Sequence, residues 1–514
     1  MSPFAKVPLA LSPLGGSLPL ELPLDPLSAG LTVNERLVHT TNQLKNFLRL
    51  KMKEKESSIT PVSNQDATIR FVTRRHFLET GLVAGIGAVV LTKQQGAEER
   101  VIRFWHPYTQ PQRTEVMQKT AAEFEKANPG IKVKIEIVPW ANVNERLKAA
   151  HAEGTLPDVG VGNPPDYLDM WETGAIAPVD DVITALGGDG RFISGILDRH
   201  TRFQGKTLAV PHYMHALVLL YRKDLLKEKG LEPPTTWEDL SRVAAALTMP
   251  PDRYGFQQLW SRKDWIGIPW VLYPLMRSNA GDFFDKDGNV TFNTPENVEA
   301  IRFLVQLYKE ASSPAAFDLE RNKDMIEVLS KSRSALDLQT LYSIPILEEE
   351  NPAVGNQLVA TYPPRKKQVG WFTFANCLVL FKGKNQEDGK RWIQFLLQDE
   401  NYSRFLRSIP GCMMPVTNSI NQSSEFWDHP FFRKHREEVK ILQEGVAQGS
   451  FPGASQGLHA NLGLLVESEA LPRLFERIIK ENADIEKAVA QTQQEFEAEL
   501  TKIKARRQDL TKKR

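Results

Sequence analysis

The chain has 514 residues, enough for two or more ordinary domains around a large core. Its 64 basic residues nearly balance 63 acidic ones, and a net charge of +1 gives no whole-molecule attraction to nucleic acid or acidic membranes. The two cysteines, Cys377 and Cys412, exclude a disulfide scaffold, and no segment reaches the roughly 18–20 apolar residues that span a bilayer.

In chain order, residues 1–69 come first. They open with a Pro-, Leu- and Gly-rich stretch that lacks any period, followed by "NERLVHTTNQLKNFLRLKMKEKE", which reads as a short amphipathic helix. Together they are expected to be a disordered leader or a gene-model extension. Residues 70–99 read as an export signal: Arg70, Arg74 and Arg75 precede the apolar run from Gly81 to Leu91. The run Thr73-Arg74-Arg75-His76-Phe77-Leu78 resembles the twin-arginine motif, in which paired arginines are followed by an aromatic residue and a leucine. Without a cysteine near residues 90–100, lipid anchoring is not expected. Cleavage falls near Gly96-Ala97, or else an uncleaved leader tethers the protein. A signal so deep in the chain is accounted for if translation starts at Met52, which leaves Lys53 and Lys55 in an n-region of ordinary length.

The globular pattern then begins. Val101, Ile102, Phe104 and Trp105 predict a buried strand. Val116, Ala121, Phe124 and Ala127 recur at helical spacing, and Pro129-Gly130 stops that helix. Ile131, Val133, Ile135 and Ile137 alternate against Lys132, Lys134 and Glu136, a period-two strand with one wet face. "NVNERLKAAHAEG" predicts a helix capped by Gly154, and "DVGVGN" a short buried strand. Strands alternating with helices imply an α/β lobe with a largely parallel sheet, in which ligands sit at the carboxyl ends of strands.

At this point a resemblance becomes specific. Phe124, Asn128-Pro129-Gly130-Ile131, Val133, then Gly154-Thr155-Leu156-Pro157-Asp158-Val159, then Gly174, Pro178 and Asp180 follow one another as in the bacterial extracellular solute-binding proteins of ABC importers. The sugar-binding family is the nearest in pattern. "GKTLAVPHYMHALVLLYRKDLLKEKGLEPPTTWEDL" and "NAGDFFDKDGNVTFNTPENVEAIRFLVQLYKE" continue the likeness, so that it spans residues 101–420 in the family's order. Arg222 stands where the family usually has Asn, and Ser332 and Ser334 replace its Gly-x-x-Ala-Met pattern.

Several motifs invite chemistry. Gly453-Ala454-Ser455-Gln456-Gly457 is a literal G-x-S-x-G, but a hydrolase elbow needs a strand before it and a helix after it, whereas "EGVAQGSFPG" reads as a loop. "FDKDGNV" is similar to a calcium loop, yet Phe283 and Thr294 occupy positions where the EF-hand requires acids, and Asp287-Gly288 reads as a hairpin turn. "GKNQEDGKR" lacks the Walker spacing. His212 and His215, with His106 as a third candidate, are either a weak metal set or ordinary polar residues.

The sharper clue is aromatic. A sugar ring offers an apolar face of C–H groups and a rim of hydroxyls, which aromatic plates and polar side chains satisfy together. Trp105 and His106 end the first strand. Trp260, Trp265 and Trp270 cluster in "LWSRKDWIGIPW". The resemblance implies ligand contacts for Trp371, which lies in a ligand loop of the family, for His215 in its hinge region, and for Asn163 and Asp166 in "VGNPPDY". The alternative for Asn163 and Asp166 is a turn-forming role beside Pro164-Pro165. Tyr342 follows "SALDLQT". Trp140, Trp237 and Trp392 lie in helix contexts and read as core.

The expected ligand-binding set is therefore Trp105, His106, Asn163, Asp166, His215, Trp260, Trp270, Tyr342 and Trp371. The expected fold is α/β and periplasmic-binding-protein-like, with two lobes joined by a hinge (type II). Residues 100–211 and 335–371 are assigned to lobe 1, residues 212–334 and 372–430 to lobe 2, and residues 431–514 to C-terminal helices packed on the lobes. Within the last, Ile485, Val489, Thr492, Phe496, Leu500 and Ile503 make an apolar stripe, and "KARRQDLTKKR" reads as a solvated basic end.

The resemblance implies an exported receptor that captures a sugar or oligosaccharide between its lobes and passes it to a membrane permease with its ATPase subunits. The twin-arginine machinery is its export partner, nucleic acid is not a partner, no cofactor is implied, and a monomer is expected. The alternatives are a secreted hydrolase built on Ser455, or a receptor for a metal, a polyamine or a peptide. Translation from Met52 predicts that mass spectrometry of the intact precursor finds no tryptic peptide from residues 1–45; one such peptide overturns it.

Overall fold

The computed structural model describes residues 99–262, 266–319 and 323–512, which belong to one compact unit. The export signal, the preceding leader and Trp265 lie outside the described residues.

The first strand and helix are β1 (Arg100–His106) and α1 (Pro111–Ala127). Asn128 caps α1 through its backbone, and Gly130 turns the chain with a φ of +88°, a conformation that suits glycine. β2 (Ile131–Ile137) follows, then α2 (Val143–Glu153), which ends on Gly154 in the left-handed region as expected. β3 (Val159–Gly162) and α3 (Pro164–Glu172) complete the alternation. β2 lies at a sheet edge, where Ile131, Val133 and Ile135 turn inward and Lys132 and Lys134 are exposed, but the last apolar residue of the alternation, Ile137, is 42% exposed. The buried face of α1 is Arg113, Met117, Thr120, Ala121 and Phe124, rotated from the stripe expected on Val116 and Ala127, of which Ala127 is exposed.

The chain continues through β4 (Val210–Ala216), β5 (Val218–Arg222), α4 (Trp237–Leu247), β6 (Tyr254–Phe256), α5 (Gly267–Ser278) and α6 (Pro295–Ala311). Then come β7 (Ser334–Gln339), α7 (Ser343–Glu350), β8 (Leu358–Thr361) and β9 (Thr373–Leu380). The remainder is helical: α8 (Gln386–Leu396), α9 (Asp399–Arg407), α10 (Arg436–Gln448), α11 (Ala470–Lys480) and α12 (Ile485–Lys512).

Two sheets result. The first has the order β2-β1-β3-β9-β4, with β9 antiparallel to both of its neighbours and the β2-β1-β3 run parallel. The second has the order β8-β5-β7-β6, where β5 is antiparallel to β7 and β8, and β6 runs parallel to β7. α4 and α6 cover the second sheet with Leu240, Val243, Leu247 and Leu307 packed on Leu219, Leu336 and Leu338. Each sheet is thus the floor of one α/β lobe.

Sheet membership corrects the expected division. β7 and β8 belong to the second sheet, so residues 335–371 are not part of the first lobe. β9 is paired between β3 and β4, so it joins the first lobe rather than the second. β4 also stays in the first sheet up to Ala216, which moves the first crossing from residues 210–211 to Leu217. Buried strands read as uninterrupted apolar runs, and such runs do not announce which sheet they enter. Phe284 and Val290 bridge around Gly288, so "FDKDGNV" is a turn, with Asp285 accepting the amides of Asp287 and Asn289.

α5 carries an internal proline, Pro274, and the chain at Gly370 passes directly against its carbonyl. A Cβ there would collide with the Pro274 carbonyl and the Ser278 amide. Gly370→Ala is expected to destabilise the protein by about 1–3 kcal/mol in urea unfolding with an unchanged slope; an unshifted midpoint would contradict this close approach.

Candidate functional site

The lobes meet where three chain segments cross side by side. The Leu217 N–H, between β4 and β5, donates to the Phe372 carbonyl at 3.0 Å. The Thr373 N–H, one residue on, donates to the Ser450 carbonyl at 3.0 Å. The Tyr273 and Ser450 hydroxyls bond at 2.8 Å and fasten α5 to the same junction. The carboxyl ends of β1, β3 and β4 from the first sheet and of β7 from the second lie on either side of such a junction, the position at which open α/β sheets bind ligands.

A ladder of rings runs through the seam. On the second lobe, the Trp270 indole N–H donates to the Leu338 carbonyl at 2.7 Å. Its ring meets Phe372 and Phe374 of the first lobe edge-on or tilted, with centroids 5.6 and 5.7 Å apart. Phe374 faces His215 at 4.6 Å, the two being register partners in β9 and β4. His215 meets Tyr213 at 5.2 Å, and Tyr213 meets Tyr108 at 6.0 Å. Tyr108 stacks on His106 at 4.7 Å and its hydroxyl bonds His212 Nδ1 at 3.2 Å.

Burial decides the charge state of this layer. It pulls the His106 imidazole down to about 4 and that of His212 down to about 3, so both are neutral near pH 7. Burial likewise raises the Tyr108 and Tyr213 phenols, and these also stay neutral. Inside this ring of neutral groups lies one full charge, Arg113. It is 4% exposed, its guanidinium lies over the Tyr108 and Tyr213 rings at 5.6 and 5.9 Å, and its Nη2 donates to Cys412 Sγ at 2.8 Å.

The expected site residues separate into two groups. His106, His215 and Trp270 lie in the seam, and Tyr342 stands at the entry to α7, half-buried beyond the end of β7. Trp260 does not: it is fully buried, stacked between Tyr308 and Phe475 with Phe317 edge-on, and belongs to the core beneath α11. Trp371 is 5% exposed and is wedged against Tyr362 and the backbone of α10 at Gly445. Trp105 points to the other face of β1 from the seam, where Arg146 and Arg103 cover its ring at 4.9 and 5.7 Å. It helps line a cavity of about 10 Å³ with His106, Gly162, Asp166 and Tyr167, room for a single water. Asp166 is structural: its carboxylate accepts the Asn163 N–H at 2.9 Å and the Asn144 amide at 3.3 Å at the start of α3. Burial raises its pKa. Asp166 thus makes the turn contact that the alternative expects, while Asn163 Oδ1 is buried without a hydrogen-bond partner among the described residues.

The rival chemistries find no support in these surroundings. Ser455 lies in a turn after α10 with its amide on Asp282 Oδ2 at 3.3 Å, without the strand-to-helix elbow a nucleophile needs. His212 sits at a bulge in β4, where its Nδ1 bonds the Tyr108 hydroxyl, and His215 faces Phe374. Among the described residues no group of three or more His, Cys, Asp or Glu is placed to hold a metal ion. Sequence reasoning overlooked Arg113, Tyr108, Tyr213 and Phe374. The signal for Arg113 was available: it falls on the apolar stripe of α1, four residues before Met117 and eleven before Phe124.

With two hinged α/β lobes and an aromatic seam between them, the comparisons with known proteins agree. Residues 110–402, more than half of the chain, match the family described as bacterial extracellular solute-binding protein. The chain belongs to this family and is a solute-binding protein of the ABC-importer type. It is 25% identical over 345 residues to the putative ABC transporter periplasmic-binding protein YcjN of Escherichia coli strain K12, covering 66% of this chain and 78% of that one. It is 29% identical over 252 residues to the sn-glycerol-3-phosphate-binding periplasmic protein UgpB of Escherichia coli O1:K1, covering 45% of this chain and 54% of that one. Among solved structures, an ABC transporter solute-binding protein of Thermotoga lettingae TMO bound with α-D-tagatose shares the fold with a TM-score of 0.67 at 18% identity, covering 78% of this chain and all of that one. A sugar transporter of Arthrobacter chlorophenolicus A6 with bound laminaribiose matches with a TM-score of 0.65 at 24% identity over 77% of this chain and 99% of that one.

The assignment of Trp260 to the core has a measurable consequence. Trp260→Ala is expected to cost about 3–5 kcal/mol in urea unfolding; a loss below about 1 kcal/mol would return this indole to a surface role.

Proposed function

We propose that the solute is a sugar or oligosaccharide, gripped between the lobes at the seam and handed unchanged to a membrane permease. The observation that carries this reading is the ring ladder from Trp270 on α5 of the second lobe through Phe374 and His215 to Tyr213 on the first sheet, beside the crossing strands. Opening about the Leu217–Phe372–Ser450 junction would part the ladder and uncover apolar ring faces next to imidazole and phenol groups. That combination suits a ring with C–H faces and a hydroxyl rim. His215, Tyr342 and Trp270 are the residues we assign to the ligand; His106 and Arg113 support them from the first lobe.

Two solved neighbours of the same fold hold α-D-tagatose and laminaribiose, which is in keeping with a carbohydrate here. Closure on the ligand brings both lobe surfaces into one arrangement, and a permease that reads both surfaces senses occupancy. Export through the twin-arginine route, on the strength of Arg74-Arg75 and Phe77-Leu78, delivers the folded receptor outside the cytoplasmic membrane. Among the described residues no helix is long and apolar enough to cross a membrane.

A thermal-shift screen over mono- and disaccharides tests the reading. A true ligand at one hundred times its Kd stabilises the folded protein by about 2.7 kcal/mol and raises Tm. The sugar is expected to be recovered intact. A protein whose Tm responds to no carbohydrate, or one that returns its sugar cleaved, is something else.

A further inference from the structure

We infer that the seam recognises an acidic carbohydrate: a sugar bearing a carboxylate or phosphate whose oxyanion pairs with Arg113. The inference rests on the carbohydrate reading above and narrows it to one ligand class.

The first lobe buries a charge that meets no counter-charge among the described residues. Arg113 is 4% exposed, and among the described residues it forms no ion pair with a carboxylate. Its Nε is buried and has no hydrogen-bond partner. Its one side-chain hydrogen bond is to the Cys412 thiol, a weak acceptor. The groups around it are neutral near pH 7. Burial raises the phenols of Tyr108, Tyr213 and Tyr342, and it raises the Cys412 thiol although the guanidinium pulls the other way. Burial also keeps His106 and His212 uncharged, with the Arg113 charge adding to the effect. A guanidinium removed from water calls for an anion or a full set of acceptors, and here two tyrosine ring faces and one thiol stand in that place, which an oxyanion would fill better.

The position of that charge is a ligand position. Arg113 is in the first turn of α1, just after β1 delivers its carboxyl end into the seam. α1 opens with Pro111, no side chain caps it, and its seventeen residues direct the positive end of the helix dipole the same way. Tyr342, from the second lobe, lies close enough to Gln110 and Arg113 for both to act on its phenol. An oxyanion entering there would replace the thiol as the acceptor on Arg113 and be enclosed by both lobes. The guanidinium fork suits the two oxygens of a carboxylate or phosphate, while the ring ladder beside it suits the sugar that carries them. The same charge repels metal ions and polyamines.

The full mature protein is titrated with matched sets: glucose, glucuronate and glucuronamide; maltose and maltobionate; glucose 6-phosphate and inorganic phosphate. Within a set the acidic member is expected to bind about tenfold or more tighter than its neutral partner. Arg113→Gln is expected to bring the ratio of acidic to neutral affinity down to about one, the ratio within each matched set being the readout, and Arg113→Lys to keep part of it. The glucuronate–glucuronamide pair differs in charge at nearly constant shape and needs no variant, so the proposal stays testable should either substitution fail to fold. Neutral sugars that bind as tightly as their acids, or a preference that survives in Arg113→Gln, overturn this inference and leave the carbohydrate reading standing. Inorganic phosphate binding as tightly as glucose 6-phosphate overturns the sugar requirement. Silence toward every sugar overturns both readings.

Discussion

The hydrogen bond from Leu217 to Phe372 ties two of the chain crossings side by side where the lobes meet. It joins the strand that leaves the first sheet to the strand that returns to it, and Ser450 adds a third segment alongside. Backbone hydrogen bonds between crossing strands resist separation, yet they permit small changes of dihedral angle. Two sheets linked this way turn relative to one another without losing their own cores. Trp270, Phe374 and His215 meet beside this junction.

The C-terminal helices add a second link between the lobes. α12 has 28 residues and, at about 1.5 Å per residue, a length near 42 Å. Its first half rests on the second lobe: Glu486 pairs with Arg302, and Phe496 meets Phe292 at 5.4 Å. Its last turns reach the first lobe, where Arg507 pairs with Asp169 of α3 at 3.4 Å, with side chains only 12% and 9% exposed. Beside them Arg506 and Lys148 share Glu467 at 2.8 and 3.0 Å. The basic end expected to be solvated is therefore partly buried, and the helix spans both lobes rather than docking on one. Pairs this close to solvent contribute little one by one, but a shared network also sets direction.

Local structure was largely legible. β2 was read with its own boundaries, because Ile131 to Ile137 alternate strictly. The stop of α2 at Gly154 followed from the left-handed conformation that glycine tolerates. The stripe of α12 from Val489 to Ile503 is buried as its spacing required. The aromatic residues were less legible. Trp260 and Trp270 sit ten positions apart in one tryptophan-rich stretch, yet one is locked between Tyr308 and Phe475 and the other faces the seam. Composition gives both the same weight, and only the packing of α11 over the first separates them.

By itself the sequence determined the alternation of strands and helices, the order of family motifs and hence a two-lobed α/β receptor. Those properties depend on neighbours a few residues apart, where period, caps and turns act directly. Only the tertiary structure decided which sheet claims residues 335–371, which tryptophans are core, and that a lone arginine on the buried face of α1 ends up among neutral rings. These outcomes depend on segments far apart in the chain, and the hydrophobic drive that brings them together does not depend on direction.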